Sequence, residues 1–266
     1  MARHPIAWFL AIGNGVYLAA ALTTLVADVE LTRFDLPLYG SVGTILGVGL
    51  AAFVVTAATD GRAGVDDLLR RCVRWRIHVR WYALALCGVP AATTFIALVI
   101  FGRAGLASPS VALAVVELFL LQFVFFNFAE EIGWTGFFQD RLRDRYSPLK
   151  LSAAVAFPWA VWHVPDYLAD EGWTLTAFAV APLFIAFETI LLFFARVLIV
   201  WLYDGTGRSV LIVGVFHASF DATITKLSRE IVPASDAVRF LILTGVIVLG
   251  ACAVIAFSFR ARSIRE

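Results

Sequence analysis

Eight stretches of this chain are apolar over a length that spans, or nearly spans, a bilayer: 6–27, 38–59, 81–101, 110–129, 151–168, 174–201, 209–224 and 237–259. A crossing helix needs about 20 predominantly apolar residues. The pattern predicts an all-α fold, a polytopic transmembrane helical bundle of about eight spans. The stretches 151–168 and 209–224 are short and carry polar residues, so seven and nine stay open. No segment is polar enough to form a soluble unit, and no internal repeat stands out, so residues 1–266 read as a single membrane domain.

Composition agrees with this pattern. Of the 266 residues, 61% are hydrophobic and 15% charged, and mean hydropathy is +0.87. A soluble domain carries about a quarter of its residues as charges. The surface of this chain is instead solvated by lipid, and the bilayer is its first expected partner. A net charge of +1 gives no basic signal for nucleic acid. Cys72, Cys87 and Cys252 show neither disulfide nor thiolate-metal spacing. The first apolar run is longer than the roughly 7–15 residues of a signal-peptide core and reads as a retained span; cleavage after Ala19-Ala20-Ala21 is the alternative.

Charge distribution orients the bundle. With the N-terminus inside, the inner segments hold fifteen Arg and Lys, including Arg62, Arg70, Arg71, Arg74, Arg76, Arg80, Arg141, Arg143, Arg145, Lys150 and Arg208. The outer loops hold four: Arg33, Arg103, Lys226 and Arg229. The positive-inside rule then predicts a multi-pass protein of the cell membrane with both termini cytoplasmic. The basic stretch 61–80 reads as an ordinary inner loop under that rule; an amphipathic helix lying on the inner leaflet is the alternative.

Several ionisable residues fall where lipid is expected: Glu117, Glu130, Glu131, His163, Glu188, Arg196, His217 and Asp221. Each costs at least about 2.5–3.5 kcal/mol at mid-bilayer unless it faces protein or water. Glu130 and Glu131 point about 100° apart on a helix, so one is expected to face a working cavity and the other a structural partner. His163 lies between Trp159, Trp162 and Pro165, and Pro158 is expected to break or kink its helix. His217 and Asp221 are four residues apart and share a helix face. Taken singly, each group has a structural reading: an interfacial acid pair, a belt histidine, a helix-stabilising hydrogen bond. Converging from three helices, they would supply a general base, a proton-carrying imidazole and groups that stabilise an oxyanion. That set suits attack of water on a carbonyl.

These segments resemble the motifs of the CPBP intramembrane proteases, also called the Abi or CAAX-protease-like family, whose pattern is EExxxR, FxxxH and HxxxN. The counterparts are Glu130-Glu131 through Thr135, Trp159 through His163, and His217 through Asp221. The match lies within 120–222, and 110–224 is the catalytic-motif core. The resemblance implies that Glu130 activates water with His163 as partner, that His217 and Asp221 stabilise the oxyanion, and that Glu131 is structural. It implies an intramembrane endopeptidase acting on a membrane-embedded, hydrophobic or lipidated peptide or protein. Trp159 fills the family's aromatic position. Asp221 replaces a common asparagine and adds negative charge, which disfavours a bare oxyanion and favours a cation or a protonated acid. Thr135 replaces the arginine that would neutralise a glutamate one turn away. Arg196, in the sixth span, is the expected replacement; Glu188, eight residues before it, is the rival partner for that arginine.

The family is often called metalloprotease. Glu130, His163 and His217 are candidate ligands of a divalent metal such as zinc, and equally of a metal-free acid–base set. A catalytically impaired scaffold, or a self-immunity protein against a peptide toxin, is the alternative that Thr135 favours. A proton-relaying transporter is a third reading, but matching broken helices in two halves are not found.

Overall fold

The computed structural model describes residues 3–27, 32–33, 36–105 and 108–259. Within them, seven helices are long and apolar enough to cross a membrane. They are α1 (Pro5–Ala27), α2 (Tyr39–Cys72), α3 (Val79–Phe101), α4 (Pro109–Leu142), α7 (Leu175–Gly205), α8 (Val210–Ile231) and α9 (Asp236–Phe257). Two shorter helices, α5 (Pro148–Trp162) and α6 (Val164–Glu171), lie between α4 and α7. Two-residue strands, β1 (Thr32–Arg33) and β2 (Leu36–Pro37), pair antiparallel ahead of α2. Arg260, Arg262 and Arg265 of the inner-charge set lie outside the described residues.

Local chemistry sets the helix ends. Ser108, Thr174 and Ser209 each accept an amide hydrogen from the first turn that follows, at 3.1–3.3 Å, which satisfies an otherwise orphaned donor. Gly102 closes α3 at φ 67° and Gly172 closes α6 at φ 83°, the left-handed geometry in which glycine meets no Cβ penalty.

The fifth expected span is two helices rather than one. α5 runs through Pro158 without ending, and the break falls at His163 (φ −80°, ψ −3°). The expected break at Pro158 is thereby corrected. Pro165 is the cause: it lacks the amide hydrogen that would continue the α5 ladder, and its ring crowds the carbonyl four residues back. The pair nevertheless crosses the bundle. The ends of α2, α4 and α7 meet at one face, where Arg71 pairs with Asp140 at 3.1 Å and Tyr203 donates to Asp140 at 3.0 Å. The 31-residue α7 is about 46 Å long, so it starts at the opposite face. The chain between α4 and α7 must therefore traverse the molecule. Seven long helices and one broken crossing make the polytopic bundle.

The stretch 61–80 also differs from a plain inner loop. Gly61 (φ 63°) bends α2, and the helix continues to Cys72 with Leu68, Arg71 and Cys72 buried. Arg71 donates to the carbonyl of Gly136 at 2.6 Å and to Tyr203 at 2.8 Å. A buried guanidinium needs such partners, and they turn this segment inward.

α1 packs into the core. Phe9 lies 5.5 Å from the Trp134 ring and 4.9 Å from Phe137. α2 approaches α4 so closely that a Cβ at Gly133 would collide with Val48 and Phe9. Close helix approach through a small residue is how spans pack when lipid supplies no hydrophobic driving force.

Candidate active site

α4 presents the first motif through an irregular backbone. Wide i→i+5 turns at Phe123–Asn127 and Ile132–Gln139 flank the short α-helical stretch Phe128–Glu131. Such bulges re-aim side chains and recur at functional sites. Here they leave two adjacent carboxylates with different surroundings.

Glu131 is fully buried and belongs to a closed polar network. One oxygen lies 2.9 Å from His217 Nδ1. The other accepts from Arg196 Nη1 at 3.2 Å and from the Thr135 hydroxyl. Arg196 Nη1 also donates to Thr135 Oγ1 at 2.9 Å, and its guanidinium stacks 3.8 Å from the Trp159 ring centroid. Arg196 therefore ion-pairs with Glu131, and among the described residues no ion pair joins it to Glu188. The short hydroxyl of Thr135 leaves room for a guanidinium from α7, and the charge that the family pattern places on α4 arrives from another helix.

Glu130 faces a cavity of about 220 Å³. Trp159 Nε1 donates to Glu130 Oε2 at 3.1 Å, and among the described residues the other oxygen accepts no hydrogen bond. The same cavity is lined by His163, Glu188, His217 and Asp221, with Trp159, Phe216, Phe220 and Ile247 among its apolar walls. α4, the α5–α6 break, α7 and α8 thus each contribute a polar group. Glu117 stays exposed and outside this set.

Hydrogen bonding fixes the two imidazoles. His163 Nδ1 lies 3.0 Å from the carbonyl of Trp159. A carbonyl only accepts, so Nδ1 carries the hydrogen and Nε2 keeps its lone pair. The helix break supplies this geometry, since Pro165 releases the last turn of α5. His217 Nδ1 meets the Glu131 carboxylate, so Nε2 is the atom directed toward Asp221, at 3.7 Å. Asp221 accepts from Asn127 Nδ2 at 2.7 Å. The amide that the family pattern expects at 221 comes instead from α4. The sequence signal for Asn127 was a lone amide within the aromatic run FVFFNF.

Metal ligation fits this arrangement poorly. Among the described residues, no three His, Cys, Asp or Glu side chains are grouped closely enough to hold an ion. The Nδ1 atoms of His163 and His217 and one oxygen of Glu130 are already engaged. The candidate set Glu130, His163 and His217 lines one cavity without converging on one point, so no step is derived through a metal.

Fold and site together define a multi-pass helical membrane protein with an acid–imidazole cavity between its spans. Residues 111–223 match the family of type II CAAX prenyl endopeptidases, Rce1-like. The chain is also 26% identical over 128 residues to CAAX prenyl protease 2 of Methanococcus maripaludis, a match that covers 48% of this chain and 45% of that protein. The match thus spans a little under half of the relative's length. Both findings support the CPBP family, and the family match at 111–223 covers the three motifs.

Proposed function

We propose that this protein is an intramembrane endopeptidase that hydrolyses a peptide bond of a membrane-embedded, hydrophobic or lipidated substrate. The observation that carries the reading is the single cavity lined by Glu130, His163, His217 and Asp221. Kinship with prenyl endopeptidases supports the reaction class.

In this reading a water sits between the free oxygen of Glu130 and Nε2 of His163. Glu130 takes a proton from that water as its oxygen attacks the substrate carbonyl, and returns the proton to the leaving amine as the C–N bond breaks. His217, held by Glu131, directs Nε2 at the developing oxyanion, and Asp221 orients that edge of the ring. Glu131, Arg196 and Thr135 position His217 and do not touch substrate. Trp159 holds Glu130 through its indole N–H and lines the cavity. The residues doing this lie within 110–224, and the remaining spans complete one membrane domain. Both termini are assigned to the cytoplasmic side, on the excess of inner Arg and Lys.

The test is cleavage of a co-reconstituted membrane peptide in proteoliposomes, read by mass spectrometry. Glu130→Gln and His163→Ala should each lower the rate by at least about 100-fold while the protein stays monodisperse. Cleavage that survives both substitutions overturns the enzymatic reading in favour of a membrane scaffold.

A further inference from the structure

The reaction cavity does not end at the motif residues. A second recess of about 150 Å³ runs between α7 and α9. Glu188, Leu192, Ala195, Phe220, Ile224 and Ile247 line both spaces, so the two adjoin across these side chains. Beyond that shared wall the cleft is apolar except for Thr244, and Phe240, Leu243 and Val248 complete it. Exposed Phe187, Ile190 and Leu241 flank it on the lipid-facing surface. An apolar peptide segment fits such a cleft, because it can enter sideways without leaving a hydrocarbon environment.

Glu188 is the exception in that wall. It is half-buried, stands at the junction of cleft and cavity, and makes no hydrogen bond or ion pair among the described residues. The nearest guanidinium along its own helix, Arg196, is committed to Glu131. No Lys or Arg lines the cavity, while Glu130, Glu188 and Asp221 all do. A desolvated carboxylate without a partner is costly, and a cation from a bound molecule would offset that cost.

Resting on the peptidase reading, we propose that the recess takes an apolar membrane peptide bearing a lysine or arginine close to the scissile bond, with Glu188 as the residue that selects it. The apolar flank lies in the α7–α9 cleft, and the cationic side chain pairs with Glu188.

Binding can be measured without catalysis. The Glu130→Gln protein in nanodiscs is titrated with three fluorescent Leu/Ala transmembrane peptides that carry a central lysine, norleucine or glutamate. The lysine peptide should bind about tenfold tighter than the norleucine peptide, as a charge-assisted contact allows, and the glutamate peptide most weakly. Glu188→Gln should bring lysine and norleucine within about twofold of each other, and Glu188→Lys should reverse the order of lysine and glutamate. Equal binding of all three, binding of none, or a lysine preference that survives Glu188→Gln overturns the proposal. A lysine preference in a protein that never cleaves would instead remove the peptidase reading and leave this recognition site standing.

Discussion

At the residue scale, Glu131 and Arg196 form an ion pair sealed from solvent. Both side chains are fully buried, where an unpaired charge is far costlier than at a surface. Arg196→Met should lower stability in detergent by about 3–5 kcal/mol, because it strands the Glu131 carboxylate. Adding Glu131→Gln should recover much of that loss, since the double change removes both charges. Chemical denaturation in mixed micelles measures both; a neutral effect of Arg196→Met would show that the pair is dispensable. Part of this was legible in the sequence. Two ionisable residues within apolar runs had to find partners, and Thr135 left the motif glutamate without an arginine on its own helix. Which of Glu131 and Glu188 would take Arg196 was not legible, because both satisfy spacing arguments. The wide turns around Phe128–Glu131 decide the matter by turning Glu131 inward, and no periodicity rule for a regular helix anticipates them.

At the element scale, the apolar runs located the long helices but not their ends or breaks. α4 continues to Leu142, well beyond the 110–129 run, because Trp134, Phe137 and Phe138 extend its buried face after the acid pair. Pro158 and Pro165 read alike in sequence. Only Pro165 ends a helix, and His163 owes its backbone contact to that break. The stretch after Gly61 read as a loop because its arginines satisfied the positive-inside rule. The burial of Arg71 against Asp140 and Tyr203 depends on distant partners that no local pattern reveals. These ends of α2, α4 and α7 share one face, which the proposed orientation puts on the cytoplasmic side. In a background lacking Cys72, Cys87 and Cys252, a cysteine at exposed Arg62 should resist a membrane-impermeant maleimide in intact cells. A cysteine at Arg103, beyond α3, should react. The reverse labelling would invert the assigned topology.

At the scale of the whole molecule, eight crossings gather polar groups that no single helix could keep in lipid. Glu130, Glu188, His217 and Asp221 come from three long spans, and His163 comes from the one crossing that is broken. Burial in hydrocarbon is tolerable for such groups only where protein and water replace the solvent they lost. The apolar cleft between α7 and α9 adjoins that cavity and shares Glu188 and Leu192 with it. The sequence could say that these groups must converge or meet water. It could not say where, because convergence depends on helix packing across more than 80 residues of chain, as in the pairing of Glu131 with His217. The proposed hydrolysis requires a water in the cavity poised between a carboxylate and an imidazole. An electron cryo-microscopy map of the protein in nanodiscs, at a resolution that shows ordered solvent, tests this most directly. It should reveal a water within hydrogen-bonding reach of both Glu130 and His163 Nε2; a dry space filled by Phe216, Phe220 and Ile247, with the two side chains turned apart, would contradict it.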